Sequence, residues 1–144
     1  MTVHVEVLRD VTTEEVEAFG RLLPQLSASA APLDQESLGA IVDAPTNTML
    51  IARTGGVING ALTLVMFPIP TGLRAWIEDV VVDQSARGQG IGEALSLEAL
   101  RLAQAAGART VELTSRPARE AAGRLYQRIG FKERESRVYR FTFI

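Results

Sequence analysis

The densest chemical signal in the chain is Arg87-Gly88-Gln89-Gly90-Ile91-Gly92, between the apolar run Ile77 to Val82 and a long stretch rich in alanine and leucine. Glycine lacks a Cβ, so a backbone built from it reaches left-handed conformations and lets a ligand come close. Amide N–H groups at the start of a helix have no intrahelical partner and carry partial positive charge. A glycine turn running into a helix is therefore a cradle for phosphate, and Arg87 adds a full positive charge at its rim. Two common phosphate motifs do not fit. The dinucleotide fingerprint needs glycine three residues after its second glycine, where this chain has Glu93 counting from Gly88, or Leu95 counting from Gly90. The nucleoside-triphosphate loop needs Gly-Lys followed by Ser or Thr, and Gly-Lys does not occur.

The elements that would hold this turn can be read from periodicity. Residues 3–9 alternate apolar and polar side chains, the pattern of a half-buried strand, and the single histidine, His4, falls on its polar face. Thr12 to Glu15 has capping-box spacing, and Val16, Phe19, Leu22, Leu23 and Leu26 recur at helical intervals, which predicts a helix to about Leu26, bent or shortened at Pro24. Asp34 caps a second short helix carrying Leu38, Ile41 and Val42. Three strands joined by tight turns are expected over Thr48 to Arg53, Val57 to Phe67 and Leu73 to Asp83. In the last of these, strict alternation would put Trp76, Glu78, Val80 and Val82 on one face and Ile77, Asp79 and Val81 on the other. A helix from Gly90 to Ala106, a strand Arg109 to Ser115, a helix starting near Pro117, and a closing pair of strands, Phe131 to Glu135 and Arg137 to Phe143, complete the expectation.

Composition narrows the function. The chain has 144 residues, 47% hydrophobic and 22% charged, which suits one folded domain over residues 1–144. With 15 basic and 17 acidic residues it lacks the basic footprint of a nucleic-acid binder. Without cysteine it has no thiolate chemistry or disulfides, and one histidine supports no His-rich metal site, so no metal is expected. The N-terminus lacks the basic and apolar pattern of a targeting segment, and no apolar run reaches the roughly 18 residues of a membrane span. A soluble, cytoplasmic protein is the expectation. The apolar stretch Tyr139 to Ile144 could pair across a homodimer.

The pattern Arg-x-x-Gly-x-Gly at residues 87–92 resembles the acyl-CoA pyrophosphate loop of the GCN5-related N-acetyltransferases (GNAT family). The resemblance extends from about Trp76 to Phe131 and includes Ala122-Gly123-Arg124-Leu125-Tyr126-Gln127-Arg128-Ile129-Gly130-Phe131, similar to the family's Ala-x-x-Leu-Tyr-x-x-x-Gly-Phe signature. Gln84 stands where proline is frequent, and Arg119 replaces a common asparagine seven residues before Tyr126. The fold implied is α/β of the α+β kind: a mixed, mostly antiparallel sheet of about six to seven strands flanked by about four helices.

The resemblance also implies roles. Arg87, Gly88, Gln89, Gly90, Ile91 and Gly92 would hold the pyrophosphate of acetyl-CoA, and Arg119 would reach a CoA phosphate or lie on the surface. The backbone N–H of Val80 would face the thioester oxygen, and Val82 would pair with the pantetheine arm as an added strand does. Glu78 would act as general base through a water, because an alkyl ammonium with a reference pKa of about 10.4 has no free lone pair at neutral pH. Tyr126, a phenol with a reference pKa of about 10, would give a proton to a departing thiolate of about 8.5. The expected function is acetyl transfer from acetyl-CoA to a primary amine of a small molecule or peptide. A non-catalytic acyl-CoA-binding or regulatory module of the same fold is the alternative.

Overall fold

The computed structural model describes residues 2–115 and 120–143, in two units, Met1–Leu113 and Thr114–Ile144. Arg116, Pro117, Ala118 and Arg119 lie outside the described residues, and so does Ile144.

In the first unit the N-terminal alternation forms strand β1, Val3–Val7, and the exposed His4 sits on its polar side. Helix α1, Thr13–Leu26, starts at Thr12, whose backbone N–H and hydroxyl both donate to Glu15 Oε1 at 2.6 and 2.7 Å. Pro24 lies inside the last turn of α1 without ending it, since there its missing N–H costs a single helical bond. Helix α2, Gln35–Asp43, is capped by Asp34, which accepts from Ser37 N–H at 2.8 Å. Strands β2, Asn47–Thr54, and β3, Val57–Ile69, are joined through Gly55 and Gly56, both at positive φ, as a two-residue turn matched to strand twist requires. β4 covers Gly72–Val82, helix α3 Ile91–Ala105, and β5 only Val111–Glu112, shorter than the strand predicted over Arg109 to Ser115.

The sheet order is β1-β2-β3-β4-β5, antiparallel throughout except for the parallel β4–β5 pair. On one face, Met49, Ile51, Ala61 and Val81 pack with Ala18, Phe19 and Leu22 of α1 and Leu38 of α2. The opposite face carries α3, whose Ile91, Leu95, Ala99 and Ala103 are buried. Gly60 is why α3 can lie so close. A Cβ there would sit 2.7 Å from Ile91 Cγ2 and 3.2 Å from Leu95 Cδ1, closer than packed carbons tolerate.

The second unit is built on α4, Glu120–Ile129. Gly130, at φ 116°, ends it: Phe131 N–H donates to Tyr126 O at 2.9 Å and Gly130 N–H to Gln127 O at 3.2 Å. The Tyr126 and Phe131 rings meet edge to face at 5.7 Å. The Tyr-x-x-x-Gly-Phe signature is thus a Schellman stop, with glycine at the left-handed position and an apolar contact across it. α3 ends in the same way at Gly107, φ 92°, with Ala108 N–H donating to Ala103 O at 3.0 Å.

The described residues form five strands rather than six or seven, because 131–143 form none. Lys132, Glu133, Arg134 and Glu135 are four consecutive charges, so that stretch offers no apolar face to bury. The alternating segment after it then has no neighbouring strand within its own unit. Alternation records compatibility with a strand, whereas a ladder also needs a partner.

Candidate active site

The β3–β4 ladder slips by one residue where the site begins. Ala61 pairs with Val81 but Thr63 pairs with Glu78, so Asp79 and Val80 together oppose Leu62. This is a β-bulge, and Asp79 takes φ 51° in it, a left-handed conformation that Asp tolerates better than most residues. The bulge overturns the strict alternation expected of β4. Residues paired across antiparallel strands share a face, so Trp76 and Glu78 share theirs with Val81, and Ile77 shares the α3 face with Val82. Glu78 and Val82 therefore lie on opposite faces. One extra residue inverts the parity of everything after it.

The bulge lies where the outer edge of β4 opens. β5 pairs only with Ala75 and Trp76, and from Ile77 to Val82 that edge has no ladder among the described residues. Glu78 and Asp79 are exposed, and Val80 and Val82 are half-buried.

β4 then runs into a single 3-10 turn, Gln84–Ala86, that is tied down firmly. Asp83, 7% exposed, accepts from the Ser85 N–H and hydroxyl, both at 3.0 Å, and from Arg21 Nε of α1 at 3.0 Å. Arg21 Nη2 also donates to Ile58 O at 2.5 Å, and Gln84 N–H donates to Gln25 Oε1 at 2.8 Å. The Ser85 amide first, then the Arg21 guanidinium, hold the Asp83 carboxyl below its ordinary value, so it remains ionised at neutral pH. None of Arg21, Gln25 and Asp83 is a sequence-predicted site residue. Asp-x-Ser directly after an apolar strand is the usable trace of them, since Asp side chains commonly bond a backbone N–H two residues on.

Beyond this anchor, Arg87, Gly88, Gln89 and Gly90 are exposed, with Gly88 and Gly90 both at φ 81°. Gly90 is the N-cap of α3 and gives it no side-chain cap, and the first intrahelical bond runs from Ala94 N–H to Gly90 O at 3.0 Å. Ile91 is buried as the first helical residue and Gly92 follows it in the first turn. The amides of that turn are the unpaired ones at the helix start, and the exposed Arg87 lies three residues before the N-cap.

Residues 9–131 match the Acetyltransferase (GNAT) family. The chain belongs to that family. It is 29% identical, over 91% of its length and 92% of the relative's, to the glucosamine 6-phosphate N-acetyltransferase of Trypanosoma brucei brucei. The crystal structure of a Trypanosoma brucei acetyltransferase superposes with a TM-score of 0.81 at 27% identity, covering 98% of this chain and 100% of that one. An aminoglycoside acetyltransferase from an uncultured soil metagenomic sample shares the fold, with a TM-score of 0.85 at 19% identity over 99% of this chain and 96% of that one.

GNAT enzymes use acetyl-CoA as co-substrate, and the exposed glycine turn, the helix amides and the open edge of β4 have the chemistry to hold one. Of the sequence-predicted residues, the first unit brings together Glu78, Val80, Val82 and Arg87 through Gly92 on one continuous segment from β4 to α3. Tyr126 belongs to the second unit, three residues before the last residue of α4, and Arg119 lies outside the described residues. No helix among the described residues is long and apolar enough to cross a membrane.

Proposed function

We propose that residues 1–144 form one cytoplasmic acyltransferase domain that moves an acetyl group from acetyl-CoA to the primary amine of a small molecule or peptide. The observation that carries the reading is the conjunction of a bulged, open β4 edge with an exposed glycine turn six residues beyond it, anchored by Asp83.

Acetyl-CoA, as substrate, supplies the activated thioester carbonyl. The amides of the α3 first turn and Arg87 bind its diphosphate, and the Val82 backbone pairs with the pantetheine arm. The Val80 N–H, freed from the regular ladder by the bulge, donates to the thioester oxygen as negative charge develops there; one such donor contributes about 10²–10³-fold in rate. Glu78, exposed to water, takes the ammonium proton through an ordered water. The amine nitrogen then bonds to the carbonyl carbon, the C–S bond breaks, Tyr126 protonates the departing thiolate, and the second proton lost by the nitrogen, as it becomes the amide, restores the Tyr126 phenol through water. Because the 29%-identical relative acts on glucosamine 6-phosphate, an amino sugar phosphate belongs among the first acceptors to try.

The test is thiol release from acetyl-CoA across a panel of amines, with the acetylated product identified by mass. Thiol release that depends on the amine is the expected result. Acetyl-CoA binding with no release for any amine would instead make the protein a binding module.

A further inference from the structure

The face of the sheet that carries Glu78 is only partly roofed. At one end Ala61 and Val81 are buried beneath α1, but further along the same face Val65, Phe67, Arg74 and Trp76 are half-exposed and Glu78 is exposed. The register fixes their arrangement: Trp76 is opposite Val65, Arg74 is opposite Phe67, and Glu112 of β5 lies beside Trp76. Arg74, Trp76 and Glu78 therefore form a row, with the cation and the carboxylate about 13 Å apart along the strand and the indole between them. Arg74 makes no hydrogen bond or ion pair among the described residues, although it is half-buried beside two aromatic rings. A guanidinium in that position lacks the planar anion its fork is built to bind.

We propose that this trough is the acceptor subsite and that the acceptor is an amine which also carries an anionic group, phosphate or carboxylate. Arg74 binds the anion, the Trp76 indole supports the body of the molecule, and the amine lies at Glu78. The inference rests on the acetyltransferase reading and adds to it the chemical class of the acceptor and a residue that selects it.

The experiment compares kcat/KM for matched amines with and without the anion: glucosamine 6-phosphate against glucosamine, and lysine against cadaverine. In at least one pair the anionic member is expected to be favoured by about 10- to 100-fold, the contribution of a hydrogen-bonded charge pair. The favoured pair tells phosphate from carboxylate. Arg74→Gln should erase that preference by raising KM for the anionic amine, with kcat and the values for the partner that lacks the anion unchanged. Arg74→Lys, which keeps the charge but not the fork, should retain part of the preference and supplies the comparison if the Gln variant does not fold. Acetyl transfer without an anion preference, or an Arg74→Gln loss equal on both members of a pair, would overturn this inference and leave the acetyltransferase reading standing. No transfer to any amine would remove both.

Discussion

Glu78 and Tyr126 are proposed as general base and general acid, and substitutions that keep shape while removing the titrating group separate chemistry from binding. Glu78→Gln and Tyr126→Phe are each expected to lower kcat by about 10²–10⁴-fold, the range for a positioned acid or base. Acetyl-CoA affinity measured by calorimetry should stay close to the parent's, because the diphosphate is proposed to be held by residues 87–92 instead. Rates within a few-fold of the parent would reject the assignments. Both proposals come from the sequence, through the motifs around the two residues. Arg74 is not, because a lone arginine in a strand reads as a solvated edge until the register shows what shares its face. Asp83 is likewise silent, since its importance comes from Arg21, 62 residues away along the chain.

Among the elements, α3 matters most because it both covers one face of the sheet and presents the glycine turn. Gly60→Val would push a side chain into Ile91, the first residue of that helix. Overpacking of this kind should destabilise the protein by about 1–3 kcal/mol, read from the unfolding midpoint, and weaken acetyl-CoA binding by displacing the turn. Gly90→Glu attacks the proposed cradle: the position is left-handed, and a carboxylate there would repel a bound diphosphate, so a calorimetric titration with CoA should lose its signal. Helix positions, the two tight hairpins and the crossover through α3 follow from periodicity and capping residues, which are local. The bulge does not, because the slip belongs to the pairing of β3 with β4 and only a left-handed Asp79 marks it. The strands expected after Phe131 fail for a related reason, as alternation is written in one segment and a ladder in two.

For the whole molecule, acid is the informative perturbation. Asp83, Glu14, Asp34 and Glu98 are all held below their ordinary values, Asp83 by the Ser85 amide and Arg21, Glu14 by Arg53, Asp34 by Ser37 and Glu98 by Arg101. A carboxyl depressed in the folded state contributes stability above its unfolded pKa and loses it as pH falls through the folded one. For Asp83, whose ordinary value is 3.8, that loss falls below about pH 4. Asp83→Asn should therefore lower the unfolding midpoint at pH 7 and flatten its decline from pH 4 to 2; a parallel decline in both proteins would deny Asp83 this part. The parity change within β4 has one more outcome. A single continuous strand contributes Ile77 to the interior beneath α3 and Val81 to the interior beneath α1, so neither half of the first unit can melt while the other stays whole. Heat should dissolve both together, and amide protons on the two sides of the sheet should exchange with the same opening energy.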